Sequence, residues 1–529
     1  MGFRRNVIFW SVSAVTYVVM TLVDALFRFL YKDKGKKVSR VSDPLLLMPA
    51  SDVAEKIRNR TLRAEDVMAA YIVRAKEVNP LINVVVGEQY DRALRRAQEL
   101  DARLDSLSQE ERDREFSVDS KPLLGVPLSV KEAFSWTGMA NTSGVPGRRH
   151  IRQSQNAPVL NNLEAAGAIP FIQTNVSEAC MWFESSNYIY GCSNNAYNTS
   201  CIVGGSSGGE GSVLSSGASV IGIGSDIGGS IRMPCFFNGI FGHKASIGVV
   251  DNSGQFPIAS EKAMCLLATG PMCRYASDLI PCLKVMAGPA GVAKLKLDTA
   301  VDLAKLRVIS VPDDAGSILV SKVDPQLKEA QRKAAEHFRK KGATVTEQYF
   351  KEFRESVNMW AGKMNLSDDG PSFACIISGK EDGHVNCTLE LGRWLVGSSS
   401  HTLPAIALGI LNDYLPAMTK SADLKAVEKL DSLRERLVSV LGDDGVFLYP
   451  SHPKIAPYHH HPVCTPFNFA YTALFNALGF PVSQCPLGLS SDGLPLGLQV
   501  VAAPYQDHLS LAVARELEEA FGGWVSPGM

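Results

Sequence analysis

The chain has 529 residues, 46% of them hydrophobic, and a formal net charge of −1. That is enough apolar mass for a large buried core, and the balanced charge offers neither a basic surface for nucleic acid nor an acidic disordered tail. Eleven cysteines are scattered without C-x-x-C pairs. An odd number in so long a chain fits reduced, mostly buried thiols rather than a disulfide framework.

The first unusual stretch is Asn6 to Val23, "NVIFWSVSAVTYVVMTLV", which carries no charge. Its eighteen residues would rise about 27 Å as a helix, close to the hydrocarbon thickness of a bilayer. Residues 1–31 are therefore expected to be an uncleaved single-pass membrane anchor, with a peripheral amphipathic helix or a cleaved signal as the alternatives. Arg28, Lys32, Lys34, Lys36, Lys37 and Arg40 outnumber the two arginines before the run. The positive-inside rule then puts the remainder in the cytosol; the organelle stays open, with intracellular membranes and lipid droplets both compatible.

Residues 32–45 read as a basic, polar linker. A helical block follows, with Ser51 as its expected N-cap and Asn79-Pro80 as the end of its second helix. Residues 87–114 look like one exposed helix rich in Arg and Glu. The texture then changes to short apolar runs set among helical segments: "LLGVPLSVKEAF", "AGAIPFIQTNVSEACMWF", "ASVIGIGSDIGGSIRMP", and later "GVFLYPSHP", "FPVSQCPLGLS" and "LPLGLQVVAAP". Strands alternating with helices predict an α/β layer architecture. The pattern over about 320–440 is mostly helical. No repeat or long linker splits the chain, so residues 46–525 are taken as one catalytic domain with a helical insertion.

Several residues are candidates for chemistry. Lys131 ends an apolar strand, and a buried lysine loses affinity for its proton and becomes a base. In "GGSSGGEG", Ser206 stands in a G-x-S-x-G frame, Gly204 to Gly208. A nucleophile elbow would also need a partner histidine. His243, His401, His452 and His508 are available, none in a diagnostic context. In "GSDIGGSIRMP" the glycines precede Ser230 and suit a turn that aims backbone N–H groups at an oxyanion. The third glycine of a dinucleotide loop is missing there, since Ile227 stands in its place. His459, His460 and His461 are adjacent, so they cannot all face one ion from a regular element, and no Glu or Cys motif joins them in sequence; no metal site is assigned.

Together these features resemble the amidase signature family. The segment 204–235 fits that family's long signature without a gap, and "GVPLSVKE", "AGAIPFIQTN" and "NPLINVVV" extend the likeness over residues 45–525. Within the family, "CMWFESSN", "YGCSNN", "FFNGIFGHK" and "PFNFAYT" are most similar to its vertebrate fatty-acid amide hydrolase branch. The resemblance implies a large mixed β-sheet covered by helices on both faces. It implies Ser230 as nucleophile, Ser206 as the bridging serine and Lys131 as base, with an oxyanion hole from the N–H groups of Ile227, Gly228, Gly229 and Ser230. It gives Asp226, Arg232 and Ser207 supporting roles in the loop and places Cys180 and Met181 near an acyl channel. The expected substrate is a fatty-acid amide taken from a lipid membrane, with no cofactor and no nucleic acid, and a homodimer is admitted. A short-chain amidase, the amidase subunit of a glutaminyl-tRNA amidotransferase, and a lipid-binding pseudo-amidase remain as alternatives.

Overall fold

The computed structural model describes residues 18–367, 369–414 and 416–529. Thirteen short strands occur among them: β1 (Val85–Glu88), β2 (Pro127–Lys131), β3 (Ile169–Thr174), β4 (Ser186–Asn187), β5 (Gly191–Cys192), β6 (Ile221–Asp226), β7 (Phe241–Lys244), β8 (Ala268–Cys273), β9 (Arg307–Ser310), β10 (Thr344–Glu347), β11 (Gly445–Tyr449), β12 (Val482–Leu489) and β13 (Pro495–Ala502). Eleven of these join in one mixed sheet, in the order β1-β3-β2-β6-β8-β7-β12-β13-β11-β9-β10, and β4 pairs with β5 alone. The expected α/β architecture is present. β2, β3, β6, β11 and β13 are buried along their whole length, which is why they read as continuous apolar runs rather than alternating ones. Helices flank the sheet: Leu279–Val292 packs on β8, Pro325–Lys340 on β9, β10 and β13, and Asp507–Phe521 on β12 and β13. One contiguous apolar core results, with a smaller cluster beside it around Phe373, Ile377 and Ile406.

Local predictions fail where a distant group intervenes. The first helix after residue 45 begins at Ala50, not after Ser51, because the Asp278 carboxylate accepts from the N–H groups of Ala50 and Ser51 and from the Ser51 hydroxyl. The next helix runs from Ala64 through Pro80 to Ile82. Asn79 does not stop it; its side-chain oxygen instead receives the N–H groups of Val84 and Val85 beyond the helix end. The region 87–114 divides into the end of β1, a helix Tyr90–Asp105 and a short helix Gln109–Glu115, opened by a Ser108–Glu111 capping box. Residues 36–41 lie against the domain: Val38 and Val41 are buried, and the Val38 N–H donates to the Ala196 carbonyl. The region 320–440 is not wholly helical, since it supplies β10, the sheet's edge strand.

Most of the apolar run Asn6–Val23 lies outside the described residues. Residues 18–31 are helical. Among the described residues no helix is long and apolar enough to cross a membrane. One side of this helix sits on the domain through stacking of Tyr31 on Tyr458, an edge contact of Phe27 with His461, and ion pairs of Asp24 with Lys454 and His461.

Candidate active site

β2 and β6 run parallel with Val130 paired to Ile223, so β6 continues past Lys131, the last residue of β2, and carries Ser225 and Asp226 beyond it. The carboxyl ends of parallel strands are where α/β sheets hold their ligands. Lys131 is wholly buried. Its Nζ lies 2.8 Å from Ser206 Oγ, 2.9 Å from Ser225 Oγ and 3.5 Å from the Ser225 carbonyl. Burial pushes its pKa down, and the neighbouring Cys180, Asp226 and Glu210 oppose this. A neutral amine has two protons and one lone pair. Two acceptors on Ser225 match the protons and leave the lone pair for the Ser206 hydroxyl. The sequence alone does not single out Ser225. Its signal was its place one residue before Asp226, and only the β2–β6 register brings it to Lys131.

The Ser206 turn presses against its surroundings. The Gly205–Ser206 peptide is cis. Gly204 has φ +81°, and a side chain there would meet the backbone of Pro234 at 2.8 Å. This is the close packing of one glycine-rich turn on the segment that follows the other. Ser207 stitches the two together: its N–H donates to the Ser230 carbonyl at 3.2 Å and its hydroxyl to the Ser225 carbonyl at 3.4 Å. The Ser185 hydroxyl holds the same turn, donating to the Gly204 carbonyl at 2.9 Å and accepting from the Gly208 N–H at 3.1 Å.

The second turn, 226–231, has its carbonyls tied outward. Trp360 Nε1–H donates to Ile227 O at 2.8 Å, Thr472 Oγ–H to Gly228 O at 2.8 Å, and Ser207 N–H to Ser230 O. The N–H groups of Ile227, Gly228 and Ser230 have no acceptor among the described residues and can receive an anion. Gly229 differs from the expectation, since its N–H is given to the Asp226 carboxylate at 2.6 Å. Gly229 has φ +127°, and a Cβ there would meet Thr472 Oγ at 2.1 Å, so the turn admits only glycine. Ser230 keeps 8% of its surface open. Its hydroxyl has no hydrogen-bond partner among the described residues, so the structure joins Lys131 to Ser206 directly but links Ser206's loop to Ser230 only through backbone.

Asp226 and Arg232 are both fully buried and form a two-pronged ion pair, Nε to Oδ2 and Nη2 to Oδ1, each at 3.0 Å. Arg232 also donates to the Thr472 carbonyl at 2.9 Å, Gln499 at 3.0 Å and Asn476 at 2.5 Å. Burial by itself would raise the Asp226 carboxyl, but the Arg232 charge and hydrogen bonds outweigh it and hold the group below the usual carboxylate range. The pair fixes the turn and reaches no solvent. Beneath the site Glu210 accepts from Ser129 at 2.5 Å and Thr174 at 2.8 Å. Burial pushes it up to about 7.

Cys180 ends the short turn Glu178–Cys180, in which Ala179 and Cys180 both have positive φ, and Met181 follows it. Cys180 is within electrostatic reach of Lys131. Met181 packs against the smaller apolar cluster formed with the helices Phe373–Ser378 and Leu403–Tyr414. Glu178 anchors that helical region, accepting from the Thr402 N–H at 2.8 Å and pairing with His401 at 2.6 Å.

No histidine serves Ser206. His243 bridges Ser483 and Asp507, a Ser–His–Asp chain too deeply buried for any substrate. His452 pairs with its own loop backbone at Lys454. A buried lysine facing a serine, joined by backbone to a second serine beside open N–H groups, is an arrangement for acyl transfer.

The chain belongs to the amidase family, which matches it over residues 66–511, and it is an amide-hydrolysing enzyme. It is 52% identical to fatty-acid amide hydrolase 2 of Homo sapiens over 503 residues, covering 94% of this chain and 93% of that protein. It is 49% identical to fatty-acid amide hydrolase 2-A of Danio rerio, covering 96% of each. A solved fatty acid amide hydrolase structure shares the fold with a TM-score of 0.71 at 21% identity, covering 96% of this chain and 91% of that one.

Proposed function

We propose that the enzyme hydrolyses fatty-acid amides, both primary amides and N-acyl ethanolamines, through a Ser–Ser–Lys relay. The observation that carries the chemistry is the buried 2.8 Å contact between Lys131 and Ser206. The acyl side follows the relatives, whose names specify fatty-acid amides.

Ser230 Oγ attacks the amide carbonyl carbon. Its proton passes to Ser206 as Ser206 gives its own to neutral Lys131. The carbonyl oxygen becomes an oxyanion facing the N–H groups of Ile227, Gly228 and Ser230, each stabilising it by about 3 kcal/mol. Gly229, bound to Asp226, fixes the turn that aims them. On collapse the C–N bond breaks, and Lys131 returns a proton through Ser206 to the leaving nitrogen, which cannot depart as an anion. Water then gives its proton to the same relay and attacks the Ser230 ester. A fatty acid leaves and the serine is restored.

Met181 and the Phe373, Ile377 and Ile406 cluster form the wall toward which the acyl chain extends, with Cys180 between that wall and Lys131. The enzyme works at a membrane surface. Leu22, Leu26 and Phe29 make an exposed apolar stripe on the N-terminal helix, Phe29 being 81% exposed. Leu395 and Val396 stand exposed on the helical region, at 73% and 78%. Apolar surface of this kind suits a lipid interface.

The test is hydrolysis of oleamide, an N-acyl ethanolamine and acetamide by the wild type and by Lys131→Ala. Long-chain amides should be preferred, and Lys131→Ala should lose at least about 1,000-fold in kcat/KM. Preference for acetamide would refute the lipid reading. Fluorophosphonate capture that survives Ser230→Ala would refute the nucleophile.

A further inference from the structure

The three adjacent histidines point different ways. His461 turns to Asp24 of the N-terminal helix. His460 takes a left-handed backbone with φ +67°, and this reversal sends His459 inward. There His459 meets Glu184 and Cys192, residues about 270 positions earlier in the chain. His459 Nδ1 lies 2.9 Å from Glu184 Oε1 and 3.3 Å from Cys192 Sγ, and the sulfur is 3.8 Å from the same carboxylate oxygen. Glu184 and His459 are buried and Cys192 is half-buried, which leaves a way in from solvent.

We propose that Glu184, Cys192 and His459 bind a zinc-class divalent transition metal. Tetrahedral zinc with bonds of about 2.0–2.3 Å places neighbouring S, N and O donors about 3.4–3.6 Å apart. The three observed separations lie within about 0.5 Å of that spacing. The outer contacts are those of a metal site. His459 Nε2 lies 3.1 Å from the Thr199 carbonyl, which as acceptor holds a ring proton on Nε2, so that Nδ1 becomes the ligand once a metal displaces the proton it shares with Glu184. The His460 N–H donates to the Glu184 carboxylate, at 3.1 Å to Oε2 and 3.2 Å to Oε1. One thiolate, one carboxylate and one imidazole suit zinc; magnesium and calcium want oxygen throughout. Two ligand charges balance the ion. Three protein donors leave a fourth position for water. Binding displaces the Cys192 thiol proton, and any proton held between His459 and Glu184, to the buffer.

The site's place in the fold gives it a consequence. Glu184 directly precedes Ser185, whose hydroxyl holds the Ser206 turn, and the Ser193 N–H next to Cys192 donates to the Ser185 carbonyl at 3.0 Å. His459 follows Tyr458, on which Tyr31 of the N-terminal helix stacks. A bound ion therefore clamps three segments: the stretch before β4 that holds the Ser206 turn, the β5 end, and the loop that seats the N-terminal helix.

The experiment uses the purified full chain, stripped with a chelator and titrated with Zn2+ or Co2+. One equivalent should bind, Co2+ should give a thiolate-to-metal charge-transfer band, and Zn2+ should raise the melting midpoint. Cys192→Ser should abolish the band, and His459→Gln should weaken binding by at least about 10-fold. Cys464→Ser, which removes an exposed thiol nearby, should bind as the wild type does. Alkylation of wild-type Cys192, mapped by mass spectrometry, should be slowed by Zn2+; this reading does not depend on any variant folding. Absence of stoichiometric binding overturns the site, as does a Co2+ thiolate band that survives Cys192→Ser or disappears in Cys464→Ser, or Cys192 alkylation indifferent to Zn2+.

Discussion

Arg232→Met tests whether the buried ion pair or the surrounding packing holds the nucleophile turn. Methionine approximates the length of arginine, and all five of the guanidinium contacts are lost. Asp226 becomes a buried carboxylate without its cation, and the acceptors on Thr472, Gln499 and Asn476 lose their donor. Breaking one side of a buried pair costs about 3–5 kcal/mol. At about 2.1 cal/mol/K per residue, a chain of this length unfolds with an entropy of about 1.1 kcal/mol/K. A loss of 4 kcal/mol therefore lowers the melting midpoint by about 4 °C. The effect has a pH signature. A carboxyl held below its unfolded value contributes stability above that value, 3.8 for Asp226, and loses it as pH falls through the folded one. In the variant Asp226 is instead raised by burial and protonates readily. The gap between wild type and variant is thus widest at neutral pH and narrows toward pH 4. Scanning calorimetry at pH 7.5 and pH 4.5 measures it. A shift under about 1 °C at pH 7.5, or a gap that does not change with pH, would mean that packing rather than the ion pair holds the turn.

Glu210→Gln keeps an acceptor for Ser129 and Thr174 but removes the negative charge that raises the Lys131 pKa wherever Glu210 is ionised, above about pH 7; the part of the acidic limb of the kcat/KM profile above that pH should move to lower pH, and no movement would separate Glu210 from the base. Gly229→Ala forces a side chain onto Thr472 at φ +127°, so kcat should fall at least about 100-fold. Normal turnover in that variant would mean the turn is not as rigid as its contacts imply. Phe29→Asp together with Leu26→Asp should reduce co-sedimentation with neutral phosphatidylcholine vesicles and leave hydrolysis of a dispersed short amide unchanged. Equal co-sedimentation of variant and wild type would remove the exposed stripe as a membrane contact.

The glycine-rich segment 204–235 was legible because its chemistry is local. Backbone N–H groups, tight turns and a serine within one or two turns of chain leave a dense pattern of residue types. Lys131 was legible as a charge in an apolar strand, where burial must alter its proton affinity. By contrast, Ser225 acts on Lys131 only because β2 pairs with β6 in a particular register. Trp360, Thr472, Asn476 and Gln499 come from segments 134 to 273 positions beyond Asp226 and carry no local mark.

Local rules also misplaced helix ends. Asp278 caps a helix more than two hundred residues earlier, and a backbone N–H accepts the best oxygen presented to it, whichever part of the chain supplies it. The histidine run shows the same division. Adjacency alone argued that three histidines cannot share one ion, and in the structure they diverge. What the sequence lacked was proximity: Glu184 and Cys192 reach His459 only after the chain has folded. Residue types and spacings thus determined the strands, the two turns and the class of chemistry. The tertiary structure decided which distant side chains complete them, because hydrogen bonds, ion pairs and metal ligands depend on distances of a few ångströms in space rather than on separation along the chain.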